Sequence, residues 1–177
     1  TLRNCVLYRN RCLSNRSTAH GGGILMTGGL VENCTVVSNA SSGFQESVAT
    51  VDTSVGGGIR RTGGAVTNTL VARNALRNPT TLQATQISGT NQFGYCGSPD
   101  LTGGVDGNIA EEPLFVSVEG GDLRLAKGSA GINQGLKFEW MTTAMDLAGV
   151  RRVQAGLVDM GAYEAEPVSA GILAVIR

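Results

Sequence analysis

The chain has 177 residues, with 14 Lys and Arg set against 14 Asp and Glu and a charged share of only 16%. That balance gives no electrostatic attraction for nucleic acid or an anionic membrane surface, and the longest apolar run, AGILAVI at 170–176, is too short to insert into a bilayer. Glycine reaches 26 residues, yet 41% of the chain is hydrophobic, so the glycine punctuates a packed fold rather than a low-complexity coil.

The first element is TLRNCVLYRN at 1–10, and the same frame returns as LVENCTVVSN at 30–39 and AVTNTLVARN at 65–74. Asn4, Asn33 and Asn68 share one position, and Asn10, Asn39 and Asn74 another. Spacings of 29 and 35 residues fall in the range of solenoid repeats. Leu2, Val31 and Val66 form one apolar column, and Leu7, Val36 and Val71 a second, with Arg3, Glu32 and Thr67 beside the first. These segments read as short strands. Alternation breaks at the first Asn of each unit, which predicts a bend there, because Asn tolerates the left-handed backbone.

Before the second and third units stand GGGILMTGG at 21–29 and GGGIRRTGG at 56–64. No GK[ST] follows either run and no helical period begins there, so phosphate cradling is the weaker reading. Glycine instead lets one turn of backbone lie flat against the next. The extra residues of the longer repeat fall between Asn39 and Gly56, a variable corner on a constant frame. Two strands joined at an Asn, with a glycine-rich strand ahead of them, make three sides of a coil. The expected fold is all-β, a right-handed parallel β-helix (β-solenoid); a β-sandwich would not repeat one strand–corner–strand unit in register. Residues 1–90 are expected to form regular coils and 91–177 irregular C-terminal coils of the same single domain.

From Asn91 onward three blocks follow in order: YCGSPDLTGGVDGNI (95–109), EEPLFVSVEGGDLRLAKGSAGINQG (111–135) and DLAGVRRVQAGLVDMGAYE (146–164). This order resembles the C-terminal region of secreted bacterial right-handed parallel β-helix proteins with a choice-of-anchor Q-type end. The resemblance implies export and display at the cell surface. It places Pro113, Leu114 and Phe115 in a late coil, with Leu123 and Leu125 facing the core of the next. Asp146, Arg152, Asp159, Tyr163 and Glu164 match its closing motif, where they are expected to pair and pack at the C-terminal end rather than react. Ala148 and Arg151 depart from that motif's second acidic residue and its proline, which argues against a cation in that loop. No secretory leader opens the chain; beginning at Thr1, it is expected to be a processed or partial piece of a longer exported protein.

Residues able to do chemistry are sparse. Glu32 is the one acidic residue on the repeated strands; Glu46 and Asp52 fall in the long corner, and Asp100 and Asp106 in a glycine-rich loop. Polysaccharide-cleaving β-helices need carboxylates clustered on one strand face, so no catalytic constellation, metal site or cofactor is expected. His20 is the sole histidine, too few for a His cluster. Trp140, Tyr95 and Phe44 are the candidate glycan-stacking residues, although Trp140 reads better as a hydrophobic plug over the last coils. Cys5 and Cys34 share a column and should stack about 4.8 Å apart, as a reduced buried ladder or a disulfide. Cys12 and Cys96 lie outside the columns and could bridge each other in an exported protein. The expected function is a non-catalytic extracellular structural component that self-associates head to tail, helped by the apolar tail AEPVSAGILAVIR (165–177). The alternatives are a carbohydrate-binding or adhesin module and a lyase or glycoside hydrolase.

Overall fold

A computed structural model describes residues 1–14, 19–43, 55–77, 82–89 and 91–165. Phe44, Glu46, Asp52 and the tail beyond Ala165 lie outside the described residues.

Strands build nearly everything. They are β1 (Leu2–Arg3), β2 (Val6–Tyr8), β3 (Arg11–Ser14), β4 (Ile24–Glu32), β5 (Thr35–Val37), β6 (Ala40–Gly43) and β7 (Ile59–Thr67), then β8 (Leu70–Ala72), β9 (Ala75–Arg77), β10 (Leu82–Ala84), β11 (Ile87–Ser88), β12 (Phe93–Gly94), β13 (Phe115–Ser117) and β14 (Asp122–Leu125). Among the described residues the only helices are two single 3₁₀ turns, Val105–Gly107 and Glu139–Thr142. The fold is all-β.

Three parallel sheets carry the repeat. The first runs β1-β4-β7-β11, with β12 also on β7; the second runs β2-β5-β8; the third runs β3-β6-β9 and adds β10 antiparallel to β9. The pairing reproduces the sequence columns: Leu2 faces Val31 and Val31 faces Val66, while Leu7 faces Val36 and Val36 faces Val71. Each pass of the chain visits the three sheets in one order. We call each pass a rung.

The sides of a rung differ from the expectation. The later part of the glycine-rich segment and the strand after it are one nine-residue strand, β4 or β7, whose pairing shifts register between Met26 and Thr27 and again between Thr27 and Leu30. The third side follows the second Asn of each unit, in segments with no shared apolar pattern (RCLS, ASSG, ALR). Both corners are left-handed. Asn4, Asn33 and Asn68 have φ of 53°, 47° and 49°; at the other corner Arg9, Ser38 and Arg73, each just before an Asn, have φ of 56°, 57° and 55°. The second Asn contributes its side chain instead. Asn39 Nδ2 donates to Leu7 O at 2.9 Å, and Asn39 N and Nδ2 both donate to Asn74 Oδ1 at 2.8 and 3.0 Å. An interior amide ladder thus ties the rungs together.

The glycines act as the repeat suggests. A Cβ on Gly57 would stand 2.5 Å from the backbone C and O of Ala75, because the glycine strand runs hard against the third side. Gly29 differs: its φ is +81°, and a Cβ there would meet nothing within 4 Å. Gly29→Ala therefore carries only the left-handed penalty of about 1–2 kcal/mol, whereas Gly57→Ala forces backbone apart, costing about 3 kcal/mol or more. Urea unfolding of the two variants should rank them in that order.

The C-terminal half does not continue the parallel stack. β13 and β14 pair antiparallel as a hairpin, so Phe115, Leu123 and Leu125 are not successive parallel rungs. They pack on the outer face of the second sheet. Leu7, Val36 and Val71 of that sheet belong to the interior cluster, while Val6, Tyr8 and Val37 pack against Phe115, Val118, Leu123 and Tyr163, and Leu70 against Leu125 and Met160. Two apolar faces explain why β5 and β8 are buried at every residue.

Candidate functional site

Four of the closing-motif residues, Asp146, Arg152, Asp159 and Glu164, share one buried network, while Tyr163 packs with Val37, Val118 and Leu123. Arg152 is fully buried, with Asp146, Asp159 and Glu164 also buried around it. Its Nη1 donates to Glu164 Oε1 at 2.8 Å, and Nε and Nη2 donate to Asn4 Oδ1 at 3.1 and 2.8 Å. Asn4 lies at the corner after β1. The network therefore meets the first rung of the chain. The outward asparagine column guides this packing. Asn4 Nδ2 donates to Met145 O, Asn33 Nδ2 to Asp159 O and Asn68 Nδ2 to Leu136 O.

The carboxylates are occupied by backbone. Asp146 Oδ1 accepts from Ala148 N and Val150 N at 2.8 and 2.7 Å, and its Oδ2 from Glu164 N at 2.8 Å. Asp159 accepts from Asn133 N and Ala165 N, and Glu164 Oε2 from Asp159 N at 2.9 Å. Burial raises the Asp159 carboxyl above its usual range and pushes Glu164 up to about 7. Tyr163 is raised too, first by burial and then by the nearby acids. Asp159 and Glu164 also line an open cleft of about 820 Å³, whose walls include Val116, Leu125, Ile132 and Leu157. A carboxyl near neutrality beside a cleft has the profile of an acid–base group. Here both Glu164 oxygens are already bonded, one to Arg152 and one to a backbone amide, and no aromatic residue lines the cleft among the described residues. The network holds the C-terminal segment down.

The stacking candidates are not brought together. Trp140 packs at the first rung, not over the last: the Arg3 guanidinium lies 4.2 Å from its ring centroid, and Arg3 pairs with Glu32. One face of the indole is thus taken by a cation. Tyr95, at a left-handed corner with φ of 53°, packs on the Leu70, Leu125 and Met160 cluster. It follows β12, three strand spacings from β1 in the first sheet, or roughly 14 Å. Phe44 lies outside the described residues.

The cysteine column is longer than its spacing suggested. All four cysteines are free thiols. Cys5 Sγ donates to Arg3 O, Cys34 Sγ to Glu32 O, Thr69 Oγ1 to Thr67 O and Cys96 Sγ to Gly94 O. Each reaches the carbonyl two residues back, just before a left-handed corner. Cys96 is therefore the fourth member of the column, because Phe93 faces Val66 and Gly94 faces Thr67. Tyr95 stands where earlier rungs carry Asn, and that substitution hid the alignment. Cys12 lies on β3 of the third sheet, facing Ser41, whereas Cys96 follows β12 of the first. Burial pushes the Cys34 and Cys96 thiols up to about 12. In iodoacetamide labelling at pH 8, Cys5 and Cys12, both half-buried, should react in the native protein. Cys34 and Cys96 should label only after unfolding.

Asp100 and the histidine hold backbone. Asp100 Oδ2 accepts from Gln86 N and Ile87 N at 2.6 and 2.9 Å, and His20 Nδ1 accepts from Val55 N at 3.2 Å. Asp106 has φ of 50° in a 3₁₀ turn. Among the described residues, no group of three or more His, Cys, Asp and Glu side chains converges to hold a metal. Comparison with protein-family models, with curated proteins and with solved structures returned no match.

Proposed function

We propose that this chain is a non-catalytic structural module of the cell surface or extracellular space: a right-handed parallel β-helix with a choice-of-anchor Q-type end that works through association of its rungs. The parallel, in-register pairing and the constant order of sheets support the solenoid reading. The hand follows from the rule that parallel crossovers within a sheet are right-handed in about 98% of cases. One observation carries the functional reading: among the described residues, the buried side chains able to do chemistry hold the scaffold. The Asn ladder, the thiol column, Asp100 and the Arg152 network each satisfy backbone or corner groups.

The head-to-tail join expected from the sequence needs two open ends. The late end is covered by its own side chains: Gln86 Oε1 accepts Asn74 N at 2.7 Å, Asp100 covers the start of β11, and Asn108 Oδ1 accepts Cys96 N at 2.9 Å. With the late end covered, the open first rung can take one further rung of the repeat but cannot propagate an open-ended polymer. Sedimentation across a wide concentration range, with electron micrographs of the same samples, tests it; a monomer throughout would end the self-association reading. The carbohydrate-binding alternative needs Trp140 as a platform. Retention on a glycan array that is lost in Trp140→Ala would replace the structural reading, as would release of reducing or unsaturated ends from an acidic polysaccharide.

A further inference from the structure

Among the described residues, β1, β2 and β3 each stand at the end of their sheet. The bonds joining the first rung to the second recur one rung on. Asn4 N donates to Glu32 O and Arg9 N to Val37 O, while Thr35 N donates to Cys5 O and Ala40 N to Asn10 O. In the next gap Asn33 N donates to Thr67 O and Ser38 N to Ala72 O, while Leu70 N donates to Cys34 O and Ala75 N to Asn39 O. The ladder repeats as well: Asn10 N and Nδ2 donate to Asn39 Oδ1 at 2.9 Å, as Asn39 does to Asn74. One operation relates the two interfaces.

Applied once more ahead of the first rung, it specifies what this edge presents. Arg3 O and Tyr8 O are the acceptors, and Val6 N and Arg11 N the donors. Asn10 Oδ1 accepts from the main-chain and side-chain amides of an Asn directly above it. The apolar floor is ready too. Leu2, Cys5 and Leu7 are half-buried and Asn10 is exposed, whereas Val31, Cys34, Val36 and Asn39 one rung below are fully covered.

We infer that the first edge is a docking site for one more rung of the chain's own pattern: an extended polypeptide, parallel to β1 and β2. It places an Asn over Asn10, a left-handed corner residue over Asn4, and small apolar side chains over Leu2 and Leu7. This rests on the stacked reading proposed above, and it adds the chemistry of the partner. The late end of a second copy does not offer that chemistry, since Gln86, Asp100 and Asn108 occupy it.

Because Leu2 faces Val31, Thr1 and Leu30 are equivalent, and residues 1–29 form one period. Duplicating residues 1–29 ahead of Thr1 therefore lays a copy of the rung on the edge. In the extended protein, amide exchange at Val6 and Arg11 should slow by about tenfold or more, with one cooperative unfolding transition at higher temperature. Replacing the added copy of Asn10 with alanine should reverse most of the thermal gain. Unchanged exchange at Val6 and Arg11 would overturn the inference. So would protection of those amides in the original protein that grows with concentration, which would give the edge to a second copy. Sedimentation of both proteins reads self-association separately, so failure of that reading is distinguishable from failure of this one.

Discussion

Asn74→Ala should lower the melting temperature by roughly 10 °C, the largest loss expected from a single interior substitution in the repeat. The Asn74 side chain accepts from Asn39 N and Nδ2 and donates to Val36 O at 2.9 Å and to Gln86 Oε1 at 3.2 Å. Alanine takes the Asn74 acceptor from Asn39 N, one of the acceptors from Asn39 Nδ2, which keeps Leu7 O, and the side-chain donor from the Val36 carbonyl, all in a region closed to water: Asn39 is 1% exposed and Val36 0%. Each buried polar group left unsatisfied costs about 1–3 kcal/mol. Several at once come to about 3–5 kcal/mol, and each kcal/mol is worth about 2–4 °C in a domain of this size. Asn10→Ala is the internal control. Asn10 stands at the exposed end of the ladder, where water can replace it, and the loss should be within about 1 kcal/mol. Equal losses at Asn10 and Asn74 would show that the ladder does not bind the rungs.

Arg152→Met should cost about 3–5 kcal/mol above neutral pH, because it strands the Glu164 carboxylate in the interior. The loss should be smaller in acid. Glu164 is pushed from 4.5 up to about 7 by burial, so between those values the folded protein holds a proton that the unfolded chain has released. Its contribution is fully present below pH 4.5, falls as pH rises through 7, and is flat beyond. Asp159, also raised by burial, acts in the same direction. Thermal melts of the unaltered protein should therefore show higher stability at pH 5 than at pH 8, other groups permitting only a partial offset. Removing the Arg152 cation raises Glu164 further and steepens that slope. Because Arg152 also bonds Asn4, amide exchange at Gly161 and Ala162, which donate to Asn68 O and Thr35 Oγ1, should quicken before the interior ladder opens. Loss that is equal at pH 5 and pH 8 would show that the Arg152–Glu164 pair does not govern docking of this segment.

The repeat was legible wherever a residue type has few alternatives in its role. Asn at the first corner announced the left-handed backbone, and the apolar columns announced the register. The second corner was not legible in the same way. There the left-handed residues are Arg9, Ser38 and Arg73, which share no chemistry, and the recurring Asn beside them serves the ladder. Cys96 escaped because Tyr95 replaces the corner Asn in its rung. The pattern was present in Gly94–Tyr95–Cys96–Gly97 set against Thr67–Asn68–Thr69–Leu70. The third sheet escaped because RCLS, ASSG and ALR carry no common apolar position.

The amino-acid sequence alone determined the strand columns, the left-handed asparagine corners and the close approach at the glycine runs, because each is a local demand of backbone geometry repeated at a fixed interval. That Asp146, Arg152, Asp159 and Glu164 share one network, and that it meets the first rung, was decided only by the tertiary structure. The runs TVV and LVA are apolar on both faces, so the second sheet needed an outer cover as well as an interior. The hairpin and the Arg152 network supply that cover by returning to Asn4, a residue 148 positions away. Such a contact follows from which apolar face remains uncovered after the rungs stack, and no local pattern encodes it.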